Sequence, residues 1–274
     1  MNIAIQGEPG SFSHEAALKF APEATILACA ISPEVFFAVD DRRANAAVIP
    51  IENSLAGSVV EHYDLLLTHD VSIERELLLR IRHNLIAVPG TRLDQIHRVY
   101  SHPVALAQCR RFFEEHPQIE AIPYYDTAGS VKQLVELRDH SSAGIASTQA
   151  ALHYGGEILA AGIEDNPENY TRFFLIRRRS EVKADSAADK VSLAFTVENR
   201  PGTLVEALQV FASQGTNLTR IESRPVHGQP WHYVFYADYQ LSNPRSADAA
   251  LASLSQHCSM VKELGRYRSG QKES

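Results

Sequence analysis

The feature that most constrains the fold is an alternation of short β-rich runs and amphipathic helical stretches over the first 178 residues. The run 46–51, Ala-Ala-Val-Ile-Pro-Ile, is almost continuously apolar, which is typical of a strand buried on both faces. Strands that alternate with helices favour mainly parallel sheets with short strand-to-helix loops. In such sheets ligands bind at the carboxyl ends of strands, beside helix N-termini.

The pattern predicts two α/β lobes built from elements of ordinary length. Strands are predicted at 3–6, 25–28, 46–51, 98–101, 119–124, 143–146 and 171–178. Helices are predicted at 13–20, 33–41, 58–69, 104–115, 128–137 and 148–154, with Ser13 as the cap of the first. Residues 71–88 stay strand-like for longer than one element usually lasts, so they form either two strands or one long strand leading into the second lobe.

A composition shift marks a second domain. Residues 180–189 are polar, rich in small residues and without periodicity, as in a linker. The elements that follow are predicted in the order strand, helix, strand, strand, helix, strand, at 191–197, 203–213, 218–225, 232–239, 246–257 and 261–267. This βαββαβ order is that of a ferredoxin-like sandwich. We therefore expect domains at 1–179 and 190–274, joined by the linker.

Composition excludes several functional classes. The net charge is −7 without a block of like charges, which disfavours nucleic-acid binding. Three widely spaced cysteines, Cys29, Cys109 and Cys258, match neither a metal site nor a disulfide framework and favour a reducing cytoplasm. The N-terminus reads as a first strand and not as a signal peptide, and no apolar run approaches the ~18 residues of a membrane span. Zinc-ligand spacing, nucleotide-binding glycine loops and nucleophile elbows are missing from the sequence, so no metal and no cofactor is expected.

Four polar segments lie where a predicted strand leads into a helix, at 7–13, 52–58, 101–103 and 126–130. Each can direct backbone N–H groups and a hydroxyl or amide toward an anion. One such segment is usually only a helix cap, but two in each lobe favour a cleft for an anionic small molecule. A fifth polar set, 166–170, precedes Thr171 and Arg172, which could offer a hydroxyl and a cation.

Motifs along most of the chain match one family in order and spacing. They are Ala-Val-Ile-Pro-Ile-Glu-Asn-Ser at 47–54, Gly-Ser-Val at 57–59, Ser-His-Pro at 101–103, Ala-Gln-Cys at 107–109 and Asn-Tyr-Thr-Arg-Phe at 169–173. In these motifs the chain resembles the prephenate dehydratase domain, which implies two lobes like those of periplasmic binding proteins. The tail resembles an ACT domain: Glu222-Ser223-Arg224-Pro225 matches the family's phenylalanine motif. Its partner motif Gly-Ala-Leu appears as Gly202-Thr203-Leu204-Val205, with Thr203 in place of alanine.

The resemblance implies a hydro-lyase of phenylalanine biosynthesis that expels water and carbon dioxide from prephenate and leaves phenylpyruvate. Aromatisation drives that reaction, and the enzyme must hold a dianion and help hydroxide leave. Thr171 is implied as the hydroxyl aimed at the departing group. The implied substrate-binding residues are Asn53, Ser101, Gln108, Thr127 and Arg172. For Arg172 a salt bridge behind the strand is an equal alternative, and Glu52 is left out because its charge would repel a dianion.

The ACT resemblance implies regulation by L-phenylalanine. The implied effector site comprises Asn199, Gly202, Thr203, Leu204, Val205, Asn217, Leu218, Glu222, Ser223, Arg224 and Pro225. ACT modules usually bind ligand between subunits, so we expect a homodimer or homotetramer. Two other functions stay open: arogenate dehydratase, whose substrate carries an amine, and a non-catalytic protein that binds an anion or amino acid on the same scaffold. Related decarboxylases that keep the hydroxyl lack the threonine of the Thr-Arg-Phe motif, so Thr171 argues against them.

Overall fold

The computed structural model describes residues 1–226, 228–229, 231–241 and 244–273, without the side chains of 244–247. The chain divides into two compact units. The first comprises Met1–His62, Leu77–Leu175 and Lys272–Ser274, and the second comprises Tyr63–Glu76 and Ile176–Gln271.

Helices and strands alternate along the chain, as the periodicity predicts. The strands are β1 (Asn2–Gln6), β2 (Thr25–Cys29), β3 (Ala46–Asn53), β4 (Gly57–Ser58), β5 (Val71–Arg80), β6 (Asn84–Ala87), β7 (Arg98–Ser101), β8 (Glu120–Pro123), β9 (Ser142–Ala146), β10 (Glu157–Ala160), β11 (Tyr170–Arg178), β12 (Lys190–Thr196), β13 (Leu218–Pro225), β14 (Tyr233–Gln240), β15 (Met260–Tyr267) and β16 (Lys272–Glu273). The α-helices are α1 (Phe12–Phe20), α2 (Ser32–Asp40), α3 (Val60–Thr68), α4 (Pro103–Ala107), α5 (Arg110–Glu115), α6 (Thr127–Leu137), α7 (Thr148–Tyr154), α8 (Thr203–Ser213) and α9 (Pro244–Leu254).

The first unit contains two sheets with helices packed on them. One has the strand order β5-β11-β3-β1-β2, to which β5 and β11 contribute residues 77–80 and 170–175 of this unit, and β1 runs parallel to both β2 and β3. Its apolar core is built from side chains such as Ile3, Val48 and Phe173, against which α1 packs. The other has the order β10-β6-β9-β7-β8, with β7 parallel to β8 and β9 and with β6 antiparallel to β9 and β10. Each sheet therefore contains three parallel strands, β3-β1-β2 in one and β9-β7-β8 in the other, whose carboxyl ends meet at one edge.

The second unit contains the order β13-β14-β12-β15 with antiparallel neighbours throughout. Helices α8 and α9 follow the first and third of these strands along the chain, and Phe195, Phe211 and Tyr239 lie in their shared core. This is the strand order of a βαββαβ ferredoxin-like sandwich, as predicted.

Several local predictions differ from the structure. The first helix is capped by Ser11, whose Oγ accepts the His14 N–H at 3.3 Å, and not by Ser13. The predicted helix 104–115 is two helices, because the backbone leaves helical geometry at Cys109. Strand β10 was not predicted; it pairs at the sheet edge, where its sequence carries only a short apolar signal. Residues 71–88 form two strands, which decides between the two alternatives.

Candidate active site

A cavity of about 740 Å³ lies in the first unit and is lined by loops and helix starts that follow strands of both sheets. Glu8, Asn53 and Thr171 come from the first sheet and its loops, and Gln108 and Thr127 from the second. Among the described residues that line it there is no lysine or arginine. An anion in this cavity would therefore be held mainly by neutral hydrogen-bond donors.

Four of the six residues predicted for catalysis and substrate binding line the cavity: Asn53, Gln108, Thr127 and Thr171. Ser101 is fully buried and donates its hydroxyl to the Ile145 carbonyl at 2.6 Å, which ties β7 to β9. Arg172 lies on the side of β11 opposite to Thr171, since side chains alternate along a strand, and its guanidinium stands 4.6 Å from the centre of the Phe174 ring. The structure places neither Ser101 nor Arg172 among the lining residues.

Asn53 determines how the Thr171 hydroxyl points. The backbone N–H groups of Leu55 and Ala56 donate to Asn53 Oδ1 at 3.0 and 2.8 Å, so the amide nitrogen must face the other way. That nitrogen donates to Thr171 Oγ1 at 2.9 Å and to Asn169 Oδ1 at 2.8 Å, with a longer contact of 3.3 Å to the Tyr170 carbonyl. Because Thr171 Oγ1 is an acceptor here, its own proton remains available. No acceptor for that proton lies among the described residues, so the hydroxyl can donate into the cavity.

Gln108 presents a second donor. Its Oε1 accepts from Asn169 Nδ2 and from His83 Nε2, both at 2.9 Å. The oxygen is therefore directed at the protein, and the NH₂ group has no partner within the described part of the chain. A donor of this kind suits a carboxylate or a ketone oxygen of a ligand.

Sequence reasoning missed Asn169 and His83 as site residues. Asn169 is fully buried and belongs to the motif 169–173, so that motif held a signal for it. His83 lies within the strand-like stretch 71–88 and carries no local signal. Burial lowers the pKa of His83, and the hydrogen bond to Gln108 and the charge of Glu164 act against this shift.

Carboxylates line the cavity near the N-terminus of α6. Glu8 accepts from the Tyr125 hydroxyl and from Lys132 Nζ, each at 3.1 Å. Asp126 caps α6 by accepting the Gly129 N–H at 2.7 Å, and burial raises the pKa of its carboxyl group. Helices α1 and α6 both begin at the cavity wall, where first-turn N–H groups lack acceptors within their own helix.

The predicted effector residues occupy two segments of the second unit. The first is the start of α8, where Gly202 adopts a φ of +92° and Thr203 donates its hydroxyl to the Glu198 and Arg200 carbonyls at 2.6 and 2.9 Å. Leu204 is half-buried, while Asn199 and Val205 are exposed. The Thr203 hydroxyl is thus bound within the loop before α8.

The other effector segment is strand β13 with the residue before it. Glu222 pairs with Arg220, and Arg224 donates to Asp64 Oδ2 at 3.2 Å. Arg224 and Pro225 line another cavity of about 890 Å³, with Asp64 and Tyr236. The remaining members of the segment lie outside that lining: Asn217, Leu218, Glu222 and Ser223.

Comparison with known proteins points to one family. A family model described as prephenate dehydratase matches residues 3–181, and one described as ACT domain matches residues 191–238. Arogenate dehydratase/prephenate dehydratase 2 of Arabidopsis thaliana is 37% identical over 97% of this chain and 72% of its own length. None of the helices in the described residues is long and apolar enough to cross a membrane.

Two solved structures share the fold over nearly the whole chain. One, described as GqqA, a novel type of quorum quenching acylase, has a TM-score of 0.91 at 34% identity and covers 98% of both chains. The other is the prephenate dehydratase of Arthrobacter aurescens in complex with L-Phe, with a TM-score of 0.88 at 36% identity, covering 98% of this chain and 90% of that one. The predicted fold class, two α/β lobes and a C-terminal ACT domain, is confirmed.

Proposed function

Because the chain belongs to the prephenate dehydratase family, we propose that it converts prephenate to phenylpyruvate, with release of water and carbon dioxide. The observation that carries the proposal is the Thr171 hydroxyl, which lines the cavity with its oxygen held by Asn53 and its proton uncommitted. Phenylpyruvate formation of this kind needs a donor at the departing oxygen and no electron sink.

The reaction follows from the placement of this donor. The bond between the ring carbon and its carboxylate breaks, its electron pair enters the ring, and the bond to the ring hydroxyl breaks as the ring becomes aromatic. The departing hydroxide accepts a hydrogen bond from Thr171 and takes up one proton through that hydroxyl, which regains a proton from solvent, so that water leaves. A threonine hydroxyl is a weak acid, so positioning and preorganised dipoles supply much of the rate.

Neutral donors hold the substrate anion in this proposal. Gln108, whose NH₂ group has no partner in the described part of the chain, and Thr127 line the cavity, together with the first turns of α1 and α6. The N-terminal turn of a helix favours negative charge, because its N–H groups are unpaired and the helix dipole is positive there. In this proposal these groups, and not Arg172, hold the carboxylates, because Arg172 is not among the lining residues.

The test replaces the Thr171 hydroxyl by a methyl group, which removes the hydrogen-bond donor and keeps the shape of the side chain. Thr171→Val should lower kcat for phenylpyruvate formation by about 100-fold or more, because it deletes the proton donor at the leaving group. Thr171→Ser, which keeps the hydroxyl, serves as the matched control, and thermal unfolding of both variants monitors the fold. Turnover retained in Thr171→Val would contradict the assigned role of Thr171.

Arogenate is a second candidate substrate. Glu8 and Asp126 both line the cavity, and a carboxylate favours the ammonium group by which arogenate differs from prephenate. Assaying both substrates with the same enzyme preparation, and comparing kcat/KM, decides between them. If the protein turned over neither substrate, the hypothesis of a non-catalytic binding protein would be favoured.

Regulation by L-phenylalanine is part of the proposal, with residues 1–179 as catalytic domain, 180–189 as linker and 190–274 as regulatory domain. The ACT match and the L-Phe-bound neighbour support phenylalanine as the effector. Titration of activity with phenylalanine, alongside calorimetry, tests this; unchanged kinetics without binding heat would reject it.

We further propose a homodimer or homotetramer that works in the cytoplasm. The free state of all three cysteines is compatible with a reducing compartment. Light scattering with and without phenylalanine measures the assembly state.

A further inference from the structure

Two residues that the sequence analysis did not name as site residues hold the hydrogen-bond donors of the cavity in place. We propose that Asn169 and His83 are positioning residues that fix the orientation of the Gln108 amide, so that it offers NH₂ and not its carbonyl to the substrate. This inference rests on the proposed function, because it assigns the residues a part in binding the same anion.

Backbone N–H groups determine which atoms donate and which accept along this series of hydrogen bonds. Two N–H groups point at Asn53 Oδ1, so Asn53 Nδ2 must face Asn169. Asn169 therefore accepts at Oδ1, at 2.8 Å, which leaves its Nδ2 to donate to Gln108 Oε1 at 2.9 Å. Each side-chain amide along this series of hydrogen bonds has one orientation that satisfies its neighbours, since a carbonyl oxygen cannot donate.

His83 adds the second donor to the same oxygen. Gln108 Oε1 carries no proton, so the His83 nitrogen 2.9 Å away, Nε2, must carry one. This assigns the Nε2–H tautomer to His83. The other nitrogen, Nδ1, is buried and has no hydrogen-bond partner among the described residues.

The surroundings of His83 hold the ring in this position. Its backbone N–H donates to Glu164 Oε2 at 2.9 Å, and its carbonyl accepts from the Ile163 N–H at 2.9 Å. Phe12 meets the ring edge-on, with the ring centres 5.6 Å apart and the planes at 81°. The imidazole is only 2% exposed, and its burial favours the neutral form with a single donor.

The consequence is that Gln108 offers the substrate a hydrogen-bond donor and not an acceptor. If Gln108 turned over, it would lose both hydrogen bonds at Oε1 and would place a carbonyl dipole against the substrate carboxylate. Leaving a buried donor unpaired is costly, so Asn169 and His83 together resist this rotation. Their effect should appear in substrate binding through Gln108. Asn169 is buried outside the cavity lining, and His83, which does line the cavity, acts in this proposal through the hydrogen bond that it donates to Gln108.

The experiment compares His83→Phe with His83→Gln. The first keeps a planar ring without a donor, and the second restores an N–H group near the position of Nε2. We expect His83→Phe to raise KM by about 10-fold or more with a smaller change in kcat, which is the signature of lost binding, and His83→Gln to recover most of the difference. His116→Phe is the matched control, because His116 is a partly buried histidine at the C-terminal end of α5 that does not line the cavity.

Asn169→Asp tests the same series of hydrogen bonds at its central residue. An aspartate has no N–H to give Gln108, so the amide should turn and present its carbonyl to the substrate. We expect a larger rise in KM than for His83→Phe, together with a fall in kcat, since Asn169 also contacts Asn53 beside Thr171.

Binding of phenylpyruvate, measured by calorimetry, separates the possible failures. If the wild-type enzyme turns over substrate and His83→Phe retains its KM and its affinity for phenylpyruvate, the positioning proposal alone is wrong. If His116→Phe raises KM equally, the effect is general destabilisation and the proposal is also overturned. If the wild-type protein neither turns over prephenate or arogenate nor binds phenylpyruvate, the proposed function fails and this inference fails with it.

Discussion

The two units of the molecule each bury a network of polar side chains. In the first unit the network joins Thr171, Asn53, Asn169, Gln108 and His83. In the second unit a smaller one joins Ser192, Asp238 and Tyr267, all of which are nearly inaccessible to water. Burial of polar groups is costly in both places unless the groups are hydrogen-bonded.

The two networks differ in whether every donor has an acceptor within the protein. We call a network closed when this is so and open when a donor remains available. Ser192 donates to Asp238 and accepts from the Tyr267 hydroxyl, so both hydroxyl protons are used within the protein. In the first unit the Thr171 proton and the Gln108 NH₂ group remain available at the cavity wall. A closed network serves stability, whereas an open one holds donors ready for a ligand. This difference, more than burial or composition, marks the site.

The largest expected effect comes from closing the open network. Asn53→Asp removes the amide protons that Thr171 and Asn169 accept, so the Thr171 hydroxyl would donate to the new carboxylate. We expect kcat for phenylpyruvate formation to fall by about 100-fold or more, since the donor for the leaving group is then occupied. Asn45→Asp is the control, because the Asn45 side chain is exposed and its Oδ1 accepts a backbone N–H, a role that a carboxylate keeps. Unchanged turnover in Asn53→Asp would show that the orientation of Thr171 is not decisive.

Opening the closed network should affect stability and not chemistry. Ser192→Ala leaves Asp238 and Tyr267 without their shared partner, at a cost of about 1–3 kcal/mol in the free energy of unfolding. Urea titration measures this cost, with Ser255→Ala at an exposed position as the control. The kcat without phenylalanine should stay at the wild-type value; a large fall in kcat would show that this cluster also has a part in catalysis.

The smallest expected effect is a dependence of stability on pH. Burial is the main cause that lowers the pKa of His14, His62 and His83, all in the first unit. A lowered pKa means that the unfolded chain binds protons first as the pH falls below about 6.5, so the free energy of unfolding decreases there. Each histidine contributes at most about 1.4 kcal/mol per pH unit.

Urea titrations between about pH 7.5 and pH 5.5 measure this slope. His62→Gln should make it shallower, because one buried imidazole no longer takes up a proton on unfolding. An equal slope in the variant would mean that His62 does not contribute to the acid sensitivity.

The local pattern predicted most elements, and the motifs named most of the cavity residues. Asn53, Gln108 and Thr171 were named because they stand in the family motifs, and all three line the cavity. Ser101 and Arg172 stand in equally good motifs, yet the structure directs the first to a backbone carbonyl and the second to the far face of β11. Position in a motif does not state where a side chain points.

By itself the sequence determined the order of the elements, the division into α/β lobes and a βαββαβ domain, and the family. Period and turn chemistry act over a few residues, so they can be read without the fold. Only the tertiary structure decided that Thr171 has a free proton and that Gln108 offers its NH₂ group. Those properties depend on hydrogen bonds between residues 25 to 118 positions apart, and their polarity is set by backbone groups that no side-chain pattern encodes.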